Sequence, residues 1–385
     1  MKQKSYNPLI LLLVSLFLFF ACKDDDTALR PDVVSTYRMR LDVGLSNYDS
    51  PLTRAAGYAF VDKDQLHILF QQGTTAITGT AIYDAASSLW TITPSQSLAE
   101  TNDGQCRLAF FLDAGSASQA AVTLTQQTRI YTDATATYGL ADDLLTVQGM
   151  LTPAIGRIRF HGTQGQTCTV DGLAFGTTFD LSKHTFVLAA SKISATCAAD
   201  GYSPYYYASF ADGEKRQLTF ELGNDLGLRR GYGADVLQTG SSGYVDIPTL
   251  DSHEGWTLIN LTTGNEVTLA SVSKPTVTNV GMARATVSAQ VTSVGGGHLS
   301  ASGFVIATSH NPTVADRRLD CGTATSLSSQ ITGLTPSTTY YVRAFAVNEM
   351  GTAYGEEVSF TTTDEPDGTD IGLDDYPDDS SWDNQ

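Results

Sequence analysis

Short segments in which apolar and polar residues alternate recur along most of the chain. In its first part they cover residues 37–43, 57–61, 66–71, 89–94 and 106–112. A period of two places alternate side chains on one buried face, which is typical of β-strands. No long segment outside the N-terminus has the apolar period of a helix. The pattern therefore predicts an all-β fold of tandem antiparallel β-sandwiches.

The same alternation continues through the rest of the chain. Further strands are predicted at 145–153, 156–162, 186–190, 205–210, 218–222 and 244–247, and then at 285–291, 304–307, 326–331, 341–348, 351–355 and 358–361. In the segment 156–162, Ile158 and Phe160 alternate with Arg157 and Arg159. Because neighbouring side chains of a strand point to opposite faces, this strand should have an apolar inner face and a basic outer face.

We interpret the predicted strands as three domains. The expected divisions are a signal peptide at 1–21, a linker at 22–34, β-sandwiches at 35–150, 151–271 and 272–363, and an acidic tail at 364–385. A chain of 385 residues is long enough for two or three domains with a buried core each.

The N-terminus has the three-part layout of a secretory signal. Lys2 and Lys4 precede an apolar run from residue 9 to residue 20, which ends at Ala21 and Cys22. This run is shorter than the roughly 20 apolar residues that a membrane-spanning helix needs. Cleavage is the expected outcome, and a retained transmembrane anchor is the alternative.

Residues 18–22, Leu-Phe-Phe-Ala-Cys, resemble a bacterial lipobox, in which cleavage before the cysteine exposes it for acylation. Phe19 departs from the aliphatic residue that lipoboxes usually have there. The resemblance implies acyl chains on Cys22 that hold the protein in a membrane. The alternative is an ordinary signal peptide with a chance cysteine.

A charged segment follows the lipobox directly. Lys23, Asp24, Asp25 and Asp26 resemble the signal that Bacteroidetes use to export lipoproteins to the cell surface. This resemblance implies a lipid-anchored protein of the outer membrane that faces the cell exterior.

The acidic balance of the chain limits its partners. The net charge is −18, and half of it comes from nine acidic residues after residue 363. Nucleic acid is excluded as a partner because phosphate binding requires clustered Lys and Arg. Asp364, Asp367 and Asp370 could bind calcium, but they lack the regular ligand spacing of a hand-type loop. We therefore interpret the tail as solvated and expect no metal.

Four cysteines remain once Cys22 carries lipid. Cys168 and Cys197 are the first candidates for a disulfide in an exported protein, with unpaired buried thiols as the alternative. No Cys or His spacing matches a zinc site.

No motif indicates catalysis, and we expect neither an enzyme nor a cofactor. Residues 240–243, Gly-Ser-Ser-Gly, lack the pattern of a nucleophile elbow. His253 has no second histidine at the spacing of a metalloprotease. The acidic pair Asp142-Asp143 is interpreted as a solvated turn.

One aromatic cluster could serve as a ligand platform. Tyr205, Tyr206 and Tyr207 follow one another, and their flat rings with hydroxyl groups can stack on sugars. Alternation along a strand sends Tyr205 and Tyr207 to one face and Tyr206 to the other. Burial of at least one of them in a core is the alternative.

Residues 35–270 resemble the fimbrillin-like lipoproteins of Bacteroidetes, which consist of two transthyretin-like sandwiches. The resemblance is carried by residues 58–60, 66–68, 90, 106–111, 151–153, 157–160, 243–249 and 255–256. It implies a role as a fimbrial subunit, an anchor or a related surface protein that assembles by strand addition.

Residues 272–363 resemble a fibronectin type III domain. The resemblance is carried by residues 333–340, Gly-Leu-Thr-Pro-Ser-Thr-Thr-Tyr, and by the alternating strand that follows. It implies a tyrosine corner in which Tyr340 returns its hydroxyl to the backbone of the turn.

Two hypotheses of function follow. The first is a non-catalytic surface lipoprotein that acts in fimbrial anchoring, assembly or adhesion, with fimbrial subunits as partners. The second is a glycan-binding surface lipoprotein of a polysaccharide-utilisation system. The second requires that Trp90, Trp256 or the tyrosine cluster be exposed.

Overall fold

The computed structural model describes residues 34–46, 60–114, 121–252 and 254–364. All regular structure in these residues is β-strand, which confirms the predicted all-β class. Cys22, the charged segment 23–26 and the tail beyond residue 364 lie outside the described residues. No helix long and apolar enough to cross a membrane occurs in the described part of the chain.

The first unit is one continuous sheet that closes on itself. Its strands are β1 (Tyr37–Leu45), β2 (Gln65–Gln72), β3 (Thr75–Asp84), β4 (Leu89–Pro94), β5 (Thr101–Leu112), β7 (Arg129–Asp133), β8 (Thr137–Ala141) and β9 (Leu144–Pro153). The strand order is β1-β4-β3-β2-β5-β7-β9-β8, and β9 also pairs with β1. The β1–β9 pairing is parallel, whereas the others are antiparallel. This parallel pairing was not predicted.

Alternation places the apolar side chains of these strands in one core. Met39, Leu66, Phe70, Leu108 and Phe110 are completely or almost completely buried. Burial of aliphatic and aromatic side chains is the main favourable term in folding, so this core stabilises the first unit.

The second unit consists of two packed sheets. Its strands are β10 (Gly156–His161), β11 (Thr167–Asp171), β12 (Leu173–Asp180), β13 (Thr185–Ala190), β14 (Ile193–Thr196), β15 (Tyr206–Phe210), β16 (Gln217–Gly223), β17 (Leu226–Gly231), β18 (Ser242–Asp246) and β19 (Thr257–Asn260). One sheet has the order β13-β12-β15-β10-β18, and the other has the order β14-β11-β16-β17-β19. Ile158 and Phe160 point into the core between them, as predicted.

The first two units share buried residues. The short strand β6 (Ala121–Thr123) lies in the connection between β5 and β7 of the first unit. It pairs with β12 of the second unit. Phe179 near the end of β12 and Leu181 directly after it are buried in the core of the first unit. A predicted boundary at residue 150 falls inside β9, which continues to Pro153.

The third unit contains nine strands. They are β20 (Ser271–Val272), β21 (Thr276–Thr278), β22 (Arg284–Ser293), β23 (Ala301–Ala307), β24 (Arg317–Asp320), β25 (Ser326–Thr332), β26 (Thr339–Asn348), β27 (Gly351–Tyr354) and β28 (Val358–Thr361). They form two antiparallel sheets, one centred on β22 and the other on β23 and β26. Val287, Phe304 and Val342 lie in the core between the sheets.

A buried amide joins the second and third units. The Nδ2 of Asn348 donates to the carbonyl of Thr268 at 2.7 Å and to that of Val294 at 3.0 Å. Its Oδ1 accepts from the N–H of Met350 at 3.0 Å. The Thr268 N–H also donates to the carbonyl of Gly295 at 2.8 Å. The connection between the two units is therefore held by satisfied buried hydrogen bonds.

Candidate functional site

The structure buries two of the three tyrosines of the predicted platform. Tyr206 is 7% exposed and lies in the core of the second unit, while Tyr207 is 8% exposed and lies in the core of the first unit. The platform prediction is therefore wrong for both. Alternation sends them to opposite faces, and the first unit covers the face to which Tyr207 points.

Tyr205 stays partly exposed and contacts the basic outer face of β10. The guanidinium of Arg157 lies 4.1 Å from its ring centroid, and that of Arg159 lies 4.8 Å away. Arg159 also lies 3.8 Å from the ring centroid of Tyr202. These are cation–π distances, so the predicted outer arginines hold two tyrosine rings at the surface.

The aromatic face continues towards β18. The ring centroids of Tyr202 and Tyr244 are 5.6 Å apart, and His161 contacts both rings. The Nδ1 of His161 is 2.7 Å from the Oδ1 of Asp246. Tyr244 is 56% exposed. A large aromatic ring that is this exposed beside charged groups is typical of an interaction surface.

A groove of about 410 Å³ runs beside Tyr244, between β18 and the strands of the opposite sheet. It is lined by Arg230, Tyr232, Tyr244, Val245, Asp246, Ile247, Pro248, Ser252, Glu254 and Trp256. Trp256 is partly exposed there and packs edge-on against Phe220 at 5.2 Å. By contrast, Trp90 is buried in the first core, so of the two tryptophans considered as platforms only Trp256 borders a groove.

Tyr232 lines this groove and also a second, smaller space of about 250 Å³. The hydroxyl oxygen is buried and has no hydrogen-bond partner among the described residues. Burial raises the pKa of Tyr232 to about 12, so the group keeps its proton at neutral pH. A buried donor without a partner is uncommon in a folded protein.

The other edge of the same sheet is apolar and exposed. In β13, Val187 is 54% exposed and Leu188 is 39% exposed, and the two alanines that follow are also exposed. Only Phe186 packs against the first core. Among the described strands, β13 pairs with β12 alone, so one side of its backbone has no partner strand.

Alternation defines which backbone groups of β13 point outward. Ser191 follows β13 directly, and its N–H donates to the carbonyl of Leu173 in β12 at 3.1 Å. The backbone N–H and C=O groups of Ser191 therefore point towards β12. In an antiparallel pair this direction alternates from residue to residue. The N–H and C=O groups of Ala189 therefore also point towards β12, whereas those of Leu188 and Ala190 point away from the sheet.

The candidate disulfide residues lie on adjacent segments but out of register. Cys168 is opposite Ala195, and the N–H of Cys197 donates to the carbonyl of Gln166. Cys168 and Cys197 are thus diagonal neighbours, and diagonal Cα atoms are roughly 7 Å or more apart. The Cα atoms of disulfide-bonded cysteines are usually about 4.4 to 6.8 Å apart. Both thiols are free in the structure, which favours the alternative of buried unpaired cysteines.

The described residues considered for catalysis form hydrogen bonds or a turn. Ser241 donates through its Oγ to the carbonyl of Gln238 at 2.8 Å, and the Oγ of Ser242 donates to the Tyr205 hydroxyl at 3.3 Å. Asp142 and Asp143 both have positive φ and form the turn between β8 and β9. His253 lies outside the described residues. Within the described ranges, no group of three or more His, Cys, Asp or Glu could hold a metal ion.

Sequence reasoning missed Tyr232 and Tyr244 as surface residues. They are isolated tyrosines in segments rich in Gly and Ser, and only the packing of two sheets brings them to one groove. Trp256 could be found from the sequence, because the glycan-binding hypothesis requires that Trp90, Trp256 or the tyrosine cluster be exposed.

Comparisons with known proteins give distant structural similarities. The chain is similar to the "putative adhesin" from Bacteroides ovatus, with 8% identity and a TM-score of 0.31 over 61% of this chain and 96% of that one. It is similar to the fimbrial anchor protein Mfa2 from Porphyromonas gingivalis, with 10% identity and a TM-score of 0.25 over 60% and 81%. A human fibronectin type III domain matches with 20% identity and a TM-score of 0.19 over 26% and 90%.

These scores carry no inference about function. No protein-family model matches the chain, and no curated protein matches it.

Proposed function

We propose that this chain is a non-catalytic protein of the cell surface, held in the outer membrane by acyl chains on Cys22, that acts in adhesion or in the anchoring and assembly of fimbriae. The exposed apolar edge strand β13 is the observation that carries the proposal. Its partner would add a strand to this edge, so the backbone ladder would supply affinity and the apolar side chains would supply contact area.

An edge of this kind is unusual in a protein that acts alone. Exposed apolar edge strands are templates for pairing with other chains, and proteins commonly protect them with charges, prolines or bulges. From Thr185 to Ala190 the strand has no charged residue and no proline. Its retention at the surface is explained if a partner strand covers it in the assembled state.

The charges that flank β13 indicate the kind of partner strand that would fit this edge. Lys183 contacts Asp180, and Lys192 contacts Glu221. Each ammonium has three donors and can accept further acidic partners. The partner strand is therefore apolar in its middle and acidic at its ends.

The test compares three variants in the bacterium that produces the protein. Val187→Lys places a charge in the contact, and Ala190→Pro removes an outward N–H without affecting the ladder to β12. Val314→Lys, at an exposed valine of the third unit, is the control. We expect both β13 variants to lower the amount of protein that co-purifies with fimbriae by about tenfold, equivalent to a loss of about 1.4 kcal/mol.

Surface display is measured alongside by labelling intact cells, so that loss of export is separated from loss of contact. Ala189→Pro provides a second comparison because it removes an inward N–H and should destabilise the second unit. The proposal is overturned if Val187→Lys and Ala190→Pro are displayed normally and co-purify with fimbriae as the unchanged protein does.

A further inference from the structure

We infer that the groove between β18 and β17–β19 binds a neutral oligosaccharide. This groove lies at the edge of the sheet opposite to β13. Saccharide binding there goes beyond the proposed role in adhesion or assembly and does not depend on strand addition.

The aromatic groups of the groove suit the apolar face of a sugar ring. Tyr244 lies at one side with more than half of its surface exposed, and the partly exposed Trp256 lies at the other. Trp256 is held in place by edge-on contacts with Phe220 at 5.2 Å and Tyr232 at 6.5 Å. Rings that are fixed by packing offer contact area at little cost in conformational entropy.

The polar groups of the groove suit hydroxyl groups. Asp246 and Glu254 offer carboxylate oxygens that only accept hydrogen bonds, while the guanidinium of Arg230 only donates. A sugar hydroxyl donates and accepts at once, so it can satisfy both kinds of partner. The His161 contact at 2.7 Å orients the Asp246 carboxylate at the rim.

The charge of the groove excludes a strongly anionic ligand. The lining contains two carboxylates and one guanidinium, so phosphate or sulfate polymers would meet net repulsion. An added peptide strand is the other ligand that an edge such as β18 could take. The groove disfavours it because most of its lining is polar or aromatic and only Val245, Ile247 and Pro248 are aliphatic.

The Tyr232 hydroxyl is the observation that distinguishes a binding groove from an ordinary cleft. It is buried, protonated and without a hydrogen-bond partner among the described residues. Leaving a buried donor unpaired costs free energy in the unliganded protein. A ligand hydroxyl that reaches this donor removes the cost on binding, so Tyr232 contributes more to affinity than to folding.

The experiment measures binding by the full mature chain. The probes are maltohexaose, cellohexaose, xylohexaose and mannohexaose, with a heparin hexasaccharide as the anionic comparison and a neutral valine–threonine peptide as the strand comparison. Isothermal titration gives the affinity of each probe. We expect at least one neutral hexasaccharide to bind and the heparin fragment and the peptide not to bind.

Three variants assign the site. Tyr244→Ala should weaken binding about tenfold or more, because it removes an exposed ring. Tyr232→Phe removes one oxygen and should weaken binding while it leaves unchanged or raises the midpoint of thermal unfolding, because an unpaired buried group is lost. Val187→Ala, at the other edge of the sheet, should change neither.

Several outcomes overturn the inference. They are the absence of binding by all four neutral hexasaccharides at millimolar concentration, binding that Tyr244→Ala leaves intact, and preferential binding of the peptide or the heparin fragment. A Tyr232→Phe variant that loses thermal stability would show that the hydroxyl serves folding instead. None of these results bears on the β13 variants, so the two proposals fail separately.

Discussion

The hydroxyl oxygen of Tyr340 accepts a hydrogen bond from the backbone N–H of Thr335 at 3.0 Å. Tyr340 lies at the start of β26, and Thr335 lies in the turn that leads to it. This contact confirms the tyrosine corner predicted from the residues 333–340. The ring of Tyr340 also stacks on Phe360, with centroids 5.9 Å apart. The corner thus fixes the turn between the two sheets of the third unit.

Tyr340→Phe should loosen this turn while keeping the ring in place. The loss of one hydrogen bond is expected to cost about 1 kcal/mol of local stability. Amide hydrogen exchange measured by mass spectrometry should become faster in the segment 333–338 than in β22. Tyr341→Phe, at the next residue of the same strand, is the control, and equal exchange in the two variants would contradict the assigned role of the corner.

The buried His67 and the partly buried His184 predict sensitivity to acid. Burial lowers the pKa of His67 to about 4, and it lowers the pKa of His184 to about 4 with a smaller contribution from Arg107. Both are below the ordinary value of 6.5. Their rings lie at the contact between the first two units, where His67 contacts Phe111, Phe111 contacts Phe179, and Phe179 contacts His184.

The sign of the pH effect follows from proton uptake. Between pH 6.5 and pH 4 the unfolded chain binds protons at these histidines and the folded chain does not, so the free energy of unfolding decreases as the pH falls through this window. The stabilising contribution of the two neutral histidines is fully present above pH 6.5. Chemical denaturation at a series of pH values should show this decrease, up to about 3 kcal/mol for His67.

His67→Gln should flatten the dependence on pH across the same window, because the glutamine does not titrate. His298→Gln is the control, since His298 is exposed and contacts Glu349 at the surface. A His67 variant with the same pH profile as the unchanged chain would refute the assignment of the acid sensitivity to this buried ring.

The amide of Asn348 should control the connection between the second and third units. Asn348→Ala removes two donated hydrogen bonds and one accepted one, and buried groups left without partners cost about 1 to 3 kcal/mol. Gly295→Ala should act at the same place, because Gly295 has a φ of +72° and an added Cβ would lie 2.0 Å from the carbonyl oxygen of Thr268. Both variants should speed amide exchange at Thr268.

Exchange at β23, in the core of the third unit, is the internal reference for these variants. Gly322→Ala is the matched control for the glycine, because Gly322 also has a positive φ of +67° but no neighbouring atom within 4 Å of an added Cβ. If Gly322→Ala speeds exchange at Thr268 as much as Gly295→Ala does, the effect does not come from contact between the units.

The cysteines outside the signal segment should be found reduced and slow to react. Burial raises the pKa values of Cys106 and Cys168 to about 12, so their thiols are protonated at neutral pH and react poorly. Cys321 is the least buried and should be alkylated first under native conditions. Mass spectrometry after alkylation in denaturant should find free thiols at Cys168 and Cys197, and a linked peptide pair would show that the strand register shifts.

The acylation of Cys22 is tested by one substitution. Cys22→Ser should leave the chain without acyl chains and transfer it from the detergent phase to the aqueous phase, because each buried methylene of an anchor contributes roughly 0.8 kcal/mol. Intact mass of the membrane-extracted protein should show the added acyl groups on the unchanged chain. Cys321→Ser, which keeps the lipobox, should stay in the detergent phase. An unmodified thiol at Cys22 in membrane-extracted protein would contradict the proposed anchor.

The sequence by itself determined the class of fold and many of its strands. The segments 89–94 and 358–361 match β4 and β28 in both bounds, and the segment 145–153 matches β9 except for its first residue. Strong alternation made them visible, because a strand with one buried face has a period of two whatever its partners are. The strands that were missed include β3 and β12, which contain glycine and threonine in place of a regular apolar series.

Tertiary structure alone decided which strands pair and which surfaces stay open. The parallel pairing of β1 with β9 and the pairing of β6 with β12 join segments that are distant in sequence, and no local pattern specifies such partners. The alternation of Tyr205, Tyr206 and Tyr207 was correct, but it could not show that a second unit covers Tyr207. Local periodicity fixes the face to which a side chain points, whereas its burial depends on what packs against that face.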